Sequence, residues 1–276
     1  MMNMQNLGVG AFATALATAV FAAEPAPPVP LPHAHAHNDY EHARPLFDAL
    51  DRGFGSVEAD VWLVKGTLLV AHDLNDAKPE RTLQKLYLDP LKERVAKNGG
   101  RVYPGGPVLT LLVDVKSEAT NSYLALRDAL KPYEKILTRF HTNQTQPGAV
   151  TVIVSGNRAR ELMEAETIRL AAYDGRLPDL ETPVSPHLIP LVSDNWARLF
   201  RWKGLTAEGP LPEDERGKLR RMVEQAHQQG RRLRLWGAPD NVAAWRELQN
   251  AGVDLINTDD LEGLKNFLTS PEGGRN

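Results

Sequence analysis

Val108-Leu109-Thr110-Leu111-Leu112-Val113-Asp114-Val115-Lys116 is an almost unbroken apolar run that ends on an acid and a base. A strand with one wet face alternates apolar and polar residues. A run that is apolar on both faces is what a parallel strand, covered from both sides, requires. Ala149 to Val154 has the same character. Outward from these two, strand-like and helix-like stretches alternate along the chain. Strands are expected to end near His37, Asp60, Lys116, Val154, Ala172, Val192, Trp236 and Asn257, with Arg169–Ala172 and Leu188–Val192 as the fifth and sixth. Helical spacing falls between them, as in Asp214–Gln229, where Leu219, Met222, Val223 and Ala226 share one face and Gly230 closes the helix. Thr67–Ala71 is a short extra strand after the Lys65-Gly66 turn.

Eight strands alternating with helices predict a single (β/α)8 TIM barrel of the α/β class, with a long insertion after the second strand. That insertion, Asp73 to Pro107, reads as irregular. It is expected to cover the mouth, because it leaves directly after His72 and returns at the strand that carries Asp114.

The chain has 276 residues, 42% of them hydrophobic and 24% charged, enough apolar material for one large core. Its net charge is -3, so no overall field would recruit nucleic acid. Cysteine is absent, which excludes disulfides, zinc–thiolate sites and a thiol nucleophile. Residues 1–23 read as a signal peptide with an apolar stretch from Leu7 to Ala23, and residues 24–32 as a proline-rich spacer. The barrel is expected over 33–270 and a tail over 271–276, in an exported protein, periplasmic or secreted. No stable membrane span is expected in the mature chain, and a monomer is expected.

The ends of the strands carry the chemistry. Glu58 and Asp60 are two apart, so a strand points both to one face. Two carboxylates crowded inside a barrel repel and lose hydration unless a cation lies between them; on a solvated strand face they would need none. Asp114 is the only acid in its apolar run and joins them, or else pairs with Lys116 on the same face. An all-oxygen donor set suits one divalent cation, Mg²⁺ or Ca²⁺, better than zinc. His37 and His72 supply imidazoles that exchange protons near neutral pH, as cleavage of a phosphodiester requires. His33 and His35 share the face of His37; His35 is expected to support the ligands, and His33 to lie near the strand start. Trp236 is either a wall of the pocket or part of the core.

The segment Gly53-Phe54-Gly55-Ser56-Val57-Glu58-Ala59-Asp60-Val61-Trp62, followed by Leu68-Leu69-Val70-Ala71-His72-Asp73, resembles the phosphatidylinositol-specific phospholipase C and glycerophosphodiester phosphodiesterase superfamily. Gly252 to Asp259 resembles its last strand. The likeness is greatest to the branch of the "altered inheritance of mitochondria" protein 6. It implies a metal-dependent phosphodiesterase in which Glu58, Asp60 and Asp114 hold the cation and His37 and His72 act as acid and base. Where glycerophosphodiesterases have His-Arg-Gly, this chain has His37-Asn38-Asp39; the His-Asn pair is similar to eukaryotic phospholipase C, where the Asn is a metal ligand. The Asp114-Val115-Lys116 triplet is similar to sphingomyelinase D, and Lys116 would add positive charge at the phosphate. The substrate implied is a small-molecule or lipid-derived phosphodiester, of glycerophosphodiester or phosphoinositide type, attacked by its own neighbouring hydroxyl. A lyase that stops at the cyclic phosphate, or a non-catalytic head-group-binding barrel, are the competing readings.

Overall fold

The structure is a computed structural model that describes residues 27–271 and 273, so the expected signal peptide lies outside the described residues. In chain order the strands are β1 (Leu31–Ala36), β2 (Phe54–Val64), β3 (Thr67–Val70), β4 (Leu109–Val115), β5 (Arg139–His141) and β6 (Thr145–Gln146), then β7 (Val150–Gly156), β8 (Ile168–Arg169), β9 (Ala171–Gly175), β10 (Leu191–Asn195), β11 (Arg232–Trp236) and β12 (Ile256–Thr258). Eight of them run parallel in the order β11-β10-β9-β7-β4-β2-β1-β12. A parallel bridge between Arg234 and Leu255 brings β11 to β12 and completes a nearly closed barrel. β1 starts at Leu31, inside the proline-rich stretch, where the Leu31 amide bonds the Gly53 carbonyl at 2.7 Å.

Two separate apolar clusters explain why β4 and β7 are apolar at almost every position. Their outward side chains, among them Leu109, Leu111, Val113, Val150, Val152 and Val154, join Val57, Ala59 and Val61 of β2 in a core beneath the helices. The inward set, Leu112, Ile153, Ala172, Leu191 and Leu255 with Phe140 below, forms a thin plug inside the barrel. Each fully buried Val or Leu contributes about 1.5–3 kcal/mol, so both faces of these strands are strongly fixed in register. That register sets Asp60 beside Asp114, and Asp114 beside Ser155, at the C-terminal mouth.

β2 continues past the barrel rim and turns back as a hairpin with β3. The turn residues Lys65 and Gly66 both take positive φ, 48° and 83°, as a tight hairpin of this hand requires. The hairpin returns the Ala71 amide to the Asp60 carbonyl at 3.2 Å and so leaves the next residue, His72, over the mouth.

The expected lid is corrected. Residues 84–97 are helical (Gln84–Leu88 as a π-turn, then Asp89–Lys97), and Leu83, Tyr87, Leu88, Leu91 and Val95 are buried in the outer core. A parallel connection has to carry the chain back to the base of the barrel, and this one does so along the outside. Near its end the Tyr103 hydroxyl donates to the Phe54 carbonyl at 2.8 Å, and Arg101 to the Gly148 carbonyl at 2.9 Å, both at strand starts. Only its first residues, including Asp76 and Lys78, stay near His72.

The fifth and sixth barrel strands also lie about three residues later than expected. Ile168–Arg169 pairs instead with β5 in a small antiparallel sheet. Asp174 and Ser193 are thereby carried into the barrel interior, where both are fully buried.

Candidate active site

A cavity of about 300 Å³ opens at the C-terminal mouth, lined by His37, Asn38, Glu58, His72, Asp114 and Lys116 together with Ser155, Gly156, Arg176, Arg234 and Trp236. Six of the seven expected site residues therefore line one cavity. The seventh, Asp60, is buried beneath it and touches two of them: Asp60 Oδ2 lies 3.0 Å from Lys116 Nζ and 3.1 Å from His72 Nδ1.

Glu58, Asp60 and Asp114 each offer a carboxylate oxygen within 4.8 Å of the other two. Lys116 Nζ sits 3.0 Å from both Asp60 Oδ2 and Asp114 Oδ1, so the expected Asp114–Lys116 pair and the carboxylate cluster coexist. With Arg234 drawn to Glu58, a single lysine is left for Asp60 and Asp114. Burial, followed by the field of Glu58, pushes the Asp114 carboxyl up to about 6 despite Lys116. Burial and Glu58 likewise raise Asp60. Asp60 Oδ1 is buried with no hydrogen-bond partner among the described residues, a costly state for a carboxylate oxygen. An orphaned oxygen, a compact all-oxygen set and two carboxyls raised by crowding are what a site for Mg²⁺ or Ca²⁺ looks like before the ion is added.

Glu58 behaves differently. Burial opposes its charge, yet the Arg234 guanidinium against Oε2 and the His35 hydrogen bond at 3.1 Å hold it well below the usual carboxylate range. His35 is fully buried, with Nδ1 2.6 Å from Ser56 Oγ. Burial first, and Arg234 second, push its imidazole down to about 4, so at neutral pH it is uncharged and donates through Nε2 to Glu58. His35 thus supports the acidic cluster, as expected. His33 does not join it; its Nδ1 lies 3.0 Å from the Asp254 carbonyl.

The two expected catalytic histidines are anchored alike, each through Nδ1 to a carboxylate. His37 meets Asp259 Oδ1 at 2.9 Å and His72 meets Asp60 Oδ2 at 3.1 Å. Burial acts against the protonated His37, but the Asp259 bond and the charge of Glu58 outweigh it and raise its pKa. Asn38 takes a left-handed backbone (φ 46°, ψ 37°), a conformation that asparagine tolerates better than most residues. Its Oδ1 lies 2.9 Å from the Tyr40 hydroxyl, whose proton goes to Asp60 Oδ2 at 2.7 Å.

Sequence reasoning missed three groups here. Tyr40 directly follows the His37-Asn38-Asp39 run but carries no signal of its own. Arg234 was legible as the middle of the alternation Arg232-Leu233-Arg234-Leu235-Trp236, which points it inward with Trp236. Arg176 enters because β9 is displaced; it pairs with Asp174 Oδ2 at 2.8 Å, while that acid also accepts from Ser155 Oγ and Ser193 Oγ at 2.7 Å each.

A nearly closed parallel barrel with acids and histidines gathered at its C-terminal mouth has the architecture expected of the glycerophosphodiester phosphodiesterase-like superfamily. Comparison with known proteins agrees. Residues 27–174 match the model of the AIM6-like phosphodiesterase domain, and residues 232–262 match that of the glycerophosphoryl diester phosphodiesterase family. The "altered inheritance of mitochondria protein 6 homolog" of Arthroderma benhamiae is 30% identical over 258 residues, covering 84% of this chain and 82% of the homolog. "Altered inheritance of mitochondria protein 6" of Eremothecium gossypii is 32% identical over 268 residues, 83% of this chain and 68% of that protein. The crystal structure of a glycerophosphodiester phosphodiesterase from Agrobacterium tumefaciens superposes with a TM-score of 0.49 at 15% identity, over 85% of this chain and 99% of that one. The chain belongs to the AIM6-like phosphodiesterase domain family.

Proposed function

We propose that the protein is a divalent-cation-dependent phosphodiesterase that cleaves a glycerophosphodiester- or phosphoinositide-like substrate with His37 and His72 as its acid–base pair. One observation carries the reading: three carboxylates converge beside a buried, unpartnered Asp60 Oδ1, directly under two carboxylate-anchored histidines. A binder of neutral ligands has no use for so costly a cluster. Glu58, Asp60 and Asp114 would hold the cation, with Asn38 beside them, and a bound divalent cation supplies neutralisation of the phosphate oxygens.

The remaining work falls to the chain itself. Nδ1 of each histidine is committed to a carboxylate, so Nε2 is the nitrogen left for proton transfer. One imidazole takes the proton of the attacking hydroxyl as the new P–O bond forms, and the other gives a proton to the departing alkoxide as the old P–O bond breaks. Lys116 and Arg176 line the same cavity and add positive charge where the phosphate would sit. The test is turnover of bis(p-nitrophenyl) phosphate and of glycerophosphocholine with Mg²⁺, with Ca²⁺ and with EDTA. Cation-dependent turnover of either substrate is expected; equal turnover in EDTA, or none under any condition, overturns the reading.

A further inference from the structure

The inward face of β11 carries two arginines that the fold treats differently. Arg234 is held by Glu58 and, through Nε, by Asn257 Oδ1 at 2.8 Å. Arg232, two residues nearer the base, meets no carboxylate among the described residues. Its one side-chain hydrogen bond runs across the barrel from Nη1 to Thr110 Oγ1 at 3.2 Å. Asp254, the acid whose field reaches it, is engaged by His227 Nε2 and the Leu233 amide at 2.8 Å each. Arg169 and Arg231, more deeply buried and also without an acid, spend their terminal nitrogens on carbonyls: Arg169 donates to those of Met163, Glu166 and His187, Arg231 to those of Asp179 and Val184. The Nε of each is left without a partner among the described residues, whereas Arg232 is half-buried. A guanidinium has five N–H donors, and four of those of Arg232 are without an acceptor among the described residues.

Those donors border a cavity of about 520 Å³ at the base of the barrel. Hydroxyls line it: Thr110, Thr145, and the pair Thr138 and Thr151, whose Oγ1 atoms are 2.7 Å apart. His187 lines it too, with Nδ1 2.9 Å from Thr145 Oγ1 and Nε2 uncommitted. The apolar plug of Leu112, Ile153, Ala172, Leu191 and Leu255 separates this cavity from the mouth. A cation with open donors, faced by hydroxyls that can donate and by no acid in contact, selects an oxyanion, because guanidinium and phosphate oxygens match in a two-point geometry. The volume falls within the range of about 300–1,000 Å³ usual for small-ligand sites, roomier than bare phosphate needs.

We propose that the base of the barrel is a second ligand site, which binds a phosphate group (inorganic phosphate or a small phosphate monoester) on Arg232 and the threonine hydroxyls. The site stands whether or not the mouth is a phosphodiesterase. Calorimetric titration of the EDTA-treated full chain with inorganic phosphate and with glycerol 3-phosphate, at constant chloride, tests it. Wild type is expected to bind at least one of them; Arg232→Met, and separately the double variant Thr138→Val/Thr151→Val, should weaken that binding at least tenfold. Lys116→Met, at the mouth, should leave it unchanged. Tighter binding of glycerol 3-phosphate assigns the site to a monoester, and tighter binding of inorganic phosphate to the free ion. If Arg232→Met does not fold, the threonine pair decides. No binding by wild type would mean a merely hydrated arginine. Binding lost in Lys116→Met but kept in Arg232→Met or in the threonine pair would place the phosphate at the mouth; either result overturns the proposal.

Discussion

Replacing Arg234 by Leu removes the one permanent positive charge in contact with Glu58. Both residues line the mouth cavity but are almost inaccessible, 2% and 4% exposed, so water replaces the lost partner only in part. Only His35 remains on the carboxylate, and burial, the largest of the causes that lower its pKa, still opposes a charge on that imidazole. Breaking a buried ion pair from one side costs about 3–5 kcal/mol, because the surviving charge is left uncompensated. At about 2–4 °C per kcal/mol for a chain of this size class, the melting temperature should fall by about 6–20 °C. The pH dependence separates this cause from simple loss of packing. In the wild type Glu58 titrates below its ordinary value, so its contribution is present above about 4.5 and fades as pH falls below that. In the variant, burial is no longer opposed by Arg234 and the carboxyl moves upward. Its penalty should be full at pH 7 and shrink toward pH 5 as Glu58 takes a proton. Urea unfolding of both proteins at pH 7 and pH 5 in EDTA gives the two differences. A deficit under about 1 kcal/mol at pH 7, or one that is the same at pH 5, would refute the reasoning.

The histidines separate chemistry from binding. His37→Ala and His72→Ala should each lower phosphodiester turnover by about a hundredfold or more, and the double variant by less than the product, with cation affinity little changed; loss of cation binding in His37→Ala would make that residue a ligand instead. Mg²⁺ or Ca²⁺ should raise the melting temperature of the wild type but not of Asp60→Ala, since only the folded chain carries the gathered carboxylates; equal shifts in both would remove Asp60 from the ligand set. Cation affinity, followed by calorimetry, should fall as pH drops through about 6, where Asp114 takes up a proton that competes with the ion. In EDTA the same group works the other way: its contribution to stability is full below about 3.8 and lost as pH rises through about 6. Affinity that stays flat between pH 7 and pH 5 would show that Asp114 does not titrate with the ion.

The parts of this molecule legible in the sequence are those written in short-range periodicity. Val108 to Val115 is apolar on both faces because each face meets a different core, and that alone implies a parallel strand under helices. Glu58 and Asp60, two apart on β2, had to share the inward face, and β4 had to bring Asp114 beside them once the strands paired. Where the local signal is weak the reading slipped. Ala171–Gly175 and Leu191–Asn195 are short strands beside other apolar residues, so the sequence pattern put them about three residues early, and Asp174 went unnoticed. The segment 73–107 read as a lid because it looks irregular, leaves directly after His72 and returns at the strand that carries Asp114. The apolar set from Leu83 to Val95 has helical spacing, and it anchors the crossover to the outside of the barrel.

What no local pattern carries is the choice of partner across the barrel. Arg232 and Arg234 are two apart on one strand and share one orientation, yet Arg234 faces Glu58 from β2 and Arg232 only Thr110 from β4. The difference arises because parallel strands in a barrel are staggered, so that residues one pleat apart on β11 meet different levels of the opposite wall. At the upper level the wall is acidic and a cation is neutralised. At the lower level, beneath the apolar plug, it offers threonine hydroxyls, the His187 imidazole and apolar groups, but no acid. A charge shielded from water without a counter-charge is costly, so the two levels favour opposite ions: the crowded, buried carboxylates of the mouth favour a cation, and the half-buried, open guanidinium of the base favours an anion.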